Sequence, residues 1–450
     1  IVGGGRPTFA LPVIDKNKVA QHVEVIHRHG LKFNYLLNAV CLDNRETTRE
    51  FNREIRELME WLGQIKVDYV TVSAPMLIEM VRNILPHVKI SLSTFANVTT
   101  ISQARFFRDL GVTEITLPES KNRDFRFLET LKAGFADDDG LRFQLIATND
   151  CLFNCPLRYF HPNFQGHASQ SWHITGGFAL DYCMVRCTYF KLLHPEELLK
   201  SPWIRPEDLK IYEDLGYEKF KLTERMKTTE KIAAVTGSYF QRKYEGNLLR
   251  LLNTRMHEED FEVPRFSALM DGKNIAPHKM AATIRLIFAL KANLPNAALE
   301  HFLDGFKSRE RGDCRDLDCA TCGYCKGWAD QVLEMTCRVD EELQKFNEWF
   351  DEIGSGELFA GEKPAEENTM EWLTETTHVL EKLIGMKPEM FRAMAEREIK
   401  KKAEEFAADS GEPYVMPQHV AKANIECTPA DFKQFARSDV KSLGFDPAAL

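Results

Sequence analysis

Between residues 31 and 150 the chain alternates short apolar runs with stretches whose apolar residues recur at helical spacing. The runs Phe33–Cys41, Asp68–Ala74, Lys89–Ala96, Glu114–Ser120 and Arg142–Asn149 read as strands. Thr48–Gly63, with Phe51, Ile55, Leu58 and Leu62 on one face, reads as a helix, as do Pro75–Leu85, Thr100–Leu110 and Asp124–Ala133. Strands that alternate with helices imply right-handed parallel βαβ units. Tyr217–Leu222 adds a sixth strand. The expected fold is therefore α/β, a TIM-like (β/α) barrel of which six strands are placed and whose first strand could lie upstream of Ile1. In such a barrel chemistry gathers at the strand C-termini. The polar residues there are Asn38, Ser73, Ser93, Thr94, Glu119, Asn149, Asp150, Lys221 and Arg225. Most polar residues at such positions cap the next helix or form turns, and Asp124 is expected to be a cap.

The rest of the chain divides by composition. Residues 1–310 are assigned to the barrel, with the stretch from 229 mainly helical and a short strand near Phe266. Residues 311–340 form a cysteine-rich segment. Residues 341–370 include the linker-like ELFAGEKPAEEN (Glu357–Asn368), and 371–450 form a small helical domain. A net charge of −9 argues against general nucleic-acid binding. Mean hydropathy is −0.33, and no apolar run of about 18 residues suggests a membrane span. The first residues, IVGGGR, lack a signal-peptide pattern and an initiator methionine. A cytoplasmic protein is expected, with an oligomer possible, and the missing methionine leaves room for residues before Ile1. IVGG also opens trypsin-like proteases, but no GDSGG-type nucleophile segment follows, and G-x-S-x-G, H-E-x-x-H and P-loop motifs are absent.

Eleven cysteines, most in short-spaced sets, favour metal or redox use over disulfides. Cys151 and Cys155 follow a strand, and Cys183 begins a second pair with Cys187, 28 residues after Cys155. Each pair has i, i+4 spacing, which on a helical turn places both sulfurs on one side. Four thiolates point to an iron–sulfur cluster, of the 4Fe–4S type, ahead of zinc. Cys314, Cys319, Cys322 and Cys325 form a second set, with Cys337 as an alternative fourth ligand, for a second 4Fe–4S cluster or a structural zinc. His161, His167 and His173 fall between the first two pairs, in a loop expected to cover the cluster. Cys41 and Cys427 are isolated, and His22 and His27 read as surface residues of a helix.

Three segments resemble peptidase family U32, the collagenase-like peptidases. They are STFANVTTISQARFFRDLGVTEITLPES (Ser93–Ser120), CLFNC (Cys151–Cys155) and SPWIRPEDLKIYEDLGYEKFKLTER (Ser201–Arg225). The resemblance covers roughly residues 1–310 and matches the family's lysine-bearing strand and following arginine at Lys221 and Arg225. It implies an α/β barrel with a four-cysteine iron–sulfur cluster, in a family whose studied members include oxygen-independent hydroxylases of ubiquinone precursors and of RNA bases. The two equally spaced cysteine pairs here depart from the wider spacing of the hydroxylase branch. A second resemblance joins Trp372–Ala423 to the small helical domain that ends light-independent protochlorophyllide reductase subunits.

The leading expectation is an iron–sulfur redox enzyme, possibly an oxygen-independent hydroxylase, acting on a small organic molecule with electrons from a donor protein. An anaerobic setting follows by analogy. Lys221 and Arg225 would hold an anionic group, and Asn38, Ser93 and Asn149 would orient the rest. A U32-type peptidase is the second reading. A non-catalytic, cluster-bearing subunit of a redox complex is the third.

Overall fold

Six short strands, β1 (Asn34–Leu37), β2 (Tyr69–Val72), β3 (Lys89–Leu92), β4 (Glu114–Thr116), β5 (Arg142–Ile146) and β6 (Lys219–Lys221), pair in sequence order. All five pairings are parallel, and the sheet curls as half a barrel. Parallel neighbours need crossovers. Helix α1 (Lys16–Arg28) precedes the sheet, and α2 (Arg49–Gln64), α3 (Pro75–Ile84), α4 (Ile101–Asp109) and α5 (Phe125–Ala133) link successive strands. The crossover from β5 to β6 is long and carries α6 (Phe160–Ala168), α7 (Tyr182–Leu193), α8 (Glu197–Lys200) and α9 (Leu209–Asp214). This computed structural model describes residues 6–12, 14–170, 173, 175, 177–223, 226–264, 266–308, 314, 316–360, 370–388, 391–429 and 432–449.

Side chains alternate across a strand, and here the alternation separates polar from apolar. Leu37, Val70, Val72, Ile90, Leu92, Ile115, Phe143 and Leu145 are buried, as are Phe51, Ile55, Met59 and Leu62 of α2 and Leu77, Ile78 and Val81 of α3. The intervening strand positions carry Asn34, Thr71, Ser91, Glu114, Thr116, Gln144 and Lys219. These bond to one another across the sheet. Thr71 Oγ1 donates to Asn34 Oδ1 at 2.8 Å, Ser91 Oγ to Glu114 Oε1 at 2.9 Å, and Thr116 Oγ1 to Gln144 Oε1 at 3.0 Å. Lys219 pairs with the second oxygen of Glu114.

An eight-stranded barrel fills its interior with layers of branched apolar side chains. This sheet lines one face with hydroxyls, amides and charges, and it stays open. Among the described residues β1 pairs only with β2 and β6 only with β5. The architecture is mixed α/β and barrel-like, and among the described residues the six-stranded sheet does not close on itself. Two local expectations also change. Phe266–Ala268 is a 3-10 turn and not a strand. His161 and His167 lie on α6 and not in a loop.

By contacts the chain forms two units, residues 1–269 with 281–352, and residues 270–280 with 353–450. The second packs helices Thr374–Gly385, Arg392–Ser410, Pro417–Cys427 and Lys433–Ser442 around Leu380, Leu383, Ile399, Val420 and small residues such as Ala403 and Ala423. A two-residue parallel pairing, Glu371–Trp372 with Tyr414–Val415, closes one end of it.

Helix starts follow cap chemistry. Thr48 accepts from Phe51 N at 3.2 Å, Thr100 and Gln103 form a reciprocal capping box, and Asp124 accepts from Phe127 N at 3.0 Å. Asp124→Ala is expected to lower stability by about 1 kcal/mol in chemical denaturation, and Asp124→Asn to restore most of it. Equal stability of the alanine variant and the parent would remove the cap from the account.

Candidate functional site

The half-barrel opens onto a cavity of about 470 Å³ at the C-terminal ends of its strands. Asn38 after β1, Ser93 after β3, Glu119 after β4, Asn149 and Asp150 after β5, and Lys221 closing β6 all line it. Asn38 Nδ2 donates to Ser93 Oγ at 3.2 Å, and Ser73 Oγ donates to the Asn38 carbonyl at 3.0 Å. Of the strand-end residues singled out from the pattern, Asn38, Ser93, Thr94, Glu119, Asn149, Asp150 and Lys221 line this cavity, while Ser73 does not. Arg225 lies outside the described residues.

Cys151, Cys155, Cys183 and Cys187 line the same cavity. Cys183 and Cys187 stand one turn apart on α7. Cys151 and Cys155 do not share a helical turn, because Asn154 takes a left-handed conformation at φ 50° and Pro156 follows. Burial holds all four thiols in the protonated form. It pushes Cys151 well above its usual value, with Glu119 and Cys187 adding to the rise, and it raises Cys155. Burial, with Asp181 behind it, lifts Cys183 to about 12, and burial lifts Cys187 to about 11 against the opposing pull of Lys191.

Metal sites need deprotonated sulfur converging on one point. Among the described residues no three His, Cys, Asp or Glu side chains are grouped to hold a metal ion. Cys151, Cys155, Cys183 and Cys187 share the cavity without being grouped as ligands of one ion. Of the second set, Cys314, Cys319 and Cys325 border a small cavity of about 70 Å³ beside Arg123 and Lys200, while Cys322 does not line it. Arg123 is buried there against Trp203, Phe302 and Phe306 and donates to the carbonyls of Leu199 at 2.5 Å and Ser201 at 2.6 Å.

Three pairings in the main cavity were not read from sequence. Lys191, on α7, sits 2.6 Å from Asp150, and both are nearly sealed from solvent. Burial alone would raise the Asp150 carboxyl and lower the Lys191 ammonium. Their mutual attraction overrides both, leaving Asp150 lowered and Lys191 raised. Arg158 Nη1 donates to Glu119 Oε1 at 2.5 Å, and its Nε donates to Asn97 Oδ1 at 2.9 Å. His161 Nε2 lies 3.2 Å from Asp181 Oδ2. Asp181 also caps α7, accepting from Met184 N at 3.0 Å, while Gln165 Nε2 donates to its Oδ2 at 2.9 Å. Burial would raise Asp181, but His161 and the Met184 N–H hold it below its ordinary value. Only the Lys191 pairing left a signal, since Cys183, Cys187 and Lys191 repeat every four residues on one helix.

Two measurements check this geometry. Asp150→Asn and Lys191→Met are each expected to cost about 3–5 kcal/mol, because each leaves a buried partner uncompensated, and the paired change to Leu and Met should recover much of the loss. The loss should track pH. The Asp150 contribution is present above the ordinary aspartate value near 3.9 and fades as pH falls through its lower folded value. Additive single losses would contradict the pairing. Cys187 in the native protein should alkylate about a hundredfold more slowly at pH 8 than in the unfolded chain, read by mass spectrometry, because two pH units separate about 11 from the ordinary 9.0. Equal rates would show an exposed thiolate.

The model of peptidase family U32 matches residues 11–124. An uncharacterized protease of Methanocaldococcus jannaschii is 28% identical over 335 residues, which span 74% of this chain and 86% of that protein. The structure of the U32 peptidase Mk0906 is 22% identical with a TM-score of 0.32, over 37% of this chain and 65% of that one, just under two thirds of its length. The relatives are described as peptidases or proteases. These findings overturn the expectation of an iron–sulfur redox enzyme and favour the second expectation, a U32-type peptidase. Over residues 11–124 the chain is similar to peptidase family U32.

Proposed function

We propose that the chain hydrolyses peptide bonds in the cavity at the strand ends. The observation that carries this reading is His161 on the cavity wall, paired with Asp181 behind it, in a chain similar to peptidase family U32. Peptide hydrolysis needs a base that takes a proton from the attacking group and later returns it to the leaving amine. An imidazole beside a fixed carboxylate meets that need, because the carboxylate orients the ring and stabilises the imidazolium that forms. Asp181 is well suited to this. Its cap on α7 and its bond from Gln165 fix it before substrate arrives.

The reading gives the attack to water. The cavity thiols are held protonated by burial, with carboxylates of Glu119, Asp150 and Asp181 adding to the effect, so a thiolate nucleophile is disfavoured. His161 removes the proton from the water, and the same proton passes to the departing amine. Cationic side chains on the wall, Lys221 among them, offset the negative charge that develops on the carbonyl oxygen. No helix of the described residues is long and apolar enough to cross a membrane.

The test is cleavage of a quenched-fluorescent peptide library by purified protein. His161→Ala should lower kcat by at least about a hundredfold, and Asp181→Asn should lower it in the same direction with little change in KM. Cys187→Ser should retain turnover. Full activity of His161→Ala would sink the assignment of the base, and loss of all turnover in Cys187→Ser alone would move the attack from water to the thiol.

A further inference from the structure

One sector of the main cavity's wall is apolar and left uncovered. Phe95, from the turn after β3, lines the cavity, as do Leu157, Tyr159 and Pro162, from the segment that leads into α6. None of the four is buried, and Tyr159 is 77% exposed. Exposed side chains ordinarily keep their rotamer freedom, but this ring is tethered. Its hydroxyl accepts a hydrogen bond from Asn97 Nδ2 at 3.3 Å.

The tether is itself anchored. Arg158 Nε donates to Asn97 Oδ1 at 2.9 Å, and Arg158 Nη1 donates to Glu119 Oε1 at 2.5 Å. Glu119 is 4% exposed, so the line of bonds runs from a buried carboxylate after β4 outward to the ring. Asn97 reaches both partners from a left-handed backbone, at φ 51°, which asparagine takes at lower cost than most residues. Tyr159 immediately precedes α6, and His161 is the second residue of that helix. The ring and the imidazole thus belong to one stretch of wall.

Apolar surface left in water is unfavourable, and a ligand that covers it gains roughly in proportion to the area. A ring already held in place gives up little further freedom on binding, so more of that gain appears as affinity. Tyrosine suits this use because it offers a large area with few torsions. At about 470 Å³ the cavity has the size to admit a short peptide segment with one such side chain.

We infer that Phe95, Leu157, Tyr159 and Pro162 form a subsite for one large apolar side chain of the bound peptide, aromatic or branched aliphatic, beside the bond that His161 serves. The peptide is the occupant because this sector is continuous with the cavity wall that carries His161. The inference rests on the peptidase reading for its substrate class, but not on turnover for its test.

Binding and cleavage are measured separately on the full chain. The probes are three hexapeptides with blocked ends, built of Gly and Ser, with Phe, Leu or Ser at one central position. Affinity is read by calorimetry on the parent and on His161→Ala, and products are read by mass spectrometry. The Phe and Leu peptides should bind about tenfold more tightly than the Ser peptide. High salt should leave that preference in place, since no charge distinguishes the peptides. Tyr159→Ala should remove most of the preference, and Tyr159→Phe, which keeps the ring, should retain it. Leu157→Ser probes the same sector if Tyr159→Ala fails to fold. Equal affinity for the three peptides, absence of binding included, overturns the inference, as does a preference undiminished in both Tyr159→Ala and Leu157→Ser. Cleavage of all three at equal affinity would leave hydrolysis standing and the subsite fallen. Preferential binding without cleavage would uphold the subsite and remove the hydrolytic reading.

Discussion

A buried ammonium must be answered by a carboxylate, and in this fold the pair that does so, Lys191 with Asp150, joins the end of β5 to α7. Much else depends on that junction. Helix α7 carries Cys183 and Cys187 into the cavity and begins at Asp181, the carboxylate that orients His161. The strand end carries Asn149 and Cys151 into the same space. Ser201 reinforces the join, its Oγ donating to the Asp150 carbonyl at 2.9 Å. A single ion pair thus holds together residues that lie tens of positions apart, which is the condition a preorganised site requires.

The sheet contributes a second constraint. Its concave face is polar, with Glu114 bound by both Ser91 and Lys219. A face of that kind cannot be packed dry like the interior of a closed barrel. It instead lines a wet, charged cavity. The openness of the sheet and the presence of a large site are two results of the same alternation along the strands.

Much of this was legible in the residues. The strand and helix periods placed all six strands of the sheet, and the rule that parallel sheets act at their C-terminal ends brought Asn38, Ser93, Asn149 and Lys221 to one wall. Asp124 caps α5 as its position before the helix implied. The cysteine spacing misled, because i, i+4 means one helical face only where the backbone is helical, and Asn154 and Pro156 prevent that at the first pair. The redox reading gave way to the likeness with peptidase family U32. His161 and Asp181 were missed as a pair because twenty residues separate them with no fixed pattern, and only the packing of α6 beside the start of α7 joins them. Arg158 and Glu119, 39 residues apart, were missed for the same reason.

The central claim is that a peptide bond is hydrolysed in this cavity with His161 as the base. It is tested most directly by incubating the purified chain with a cleavable peptide in water enriched in oxygen-18 and weighing the products. The account predicts one heavy oxygen in the new carboxylate of the product made by the parent protein, and no product from His161→Ala. Recovery of intact peptide from the parent protein, or labelled product at the parent rate from His161→Ala, would contradict it.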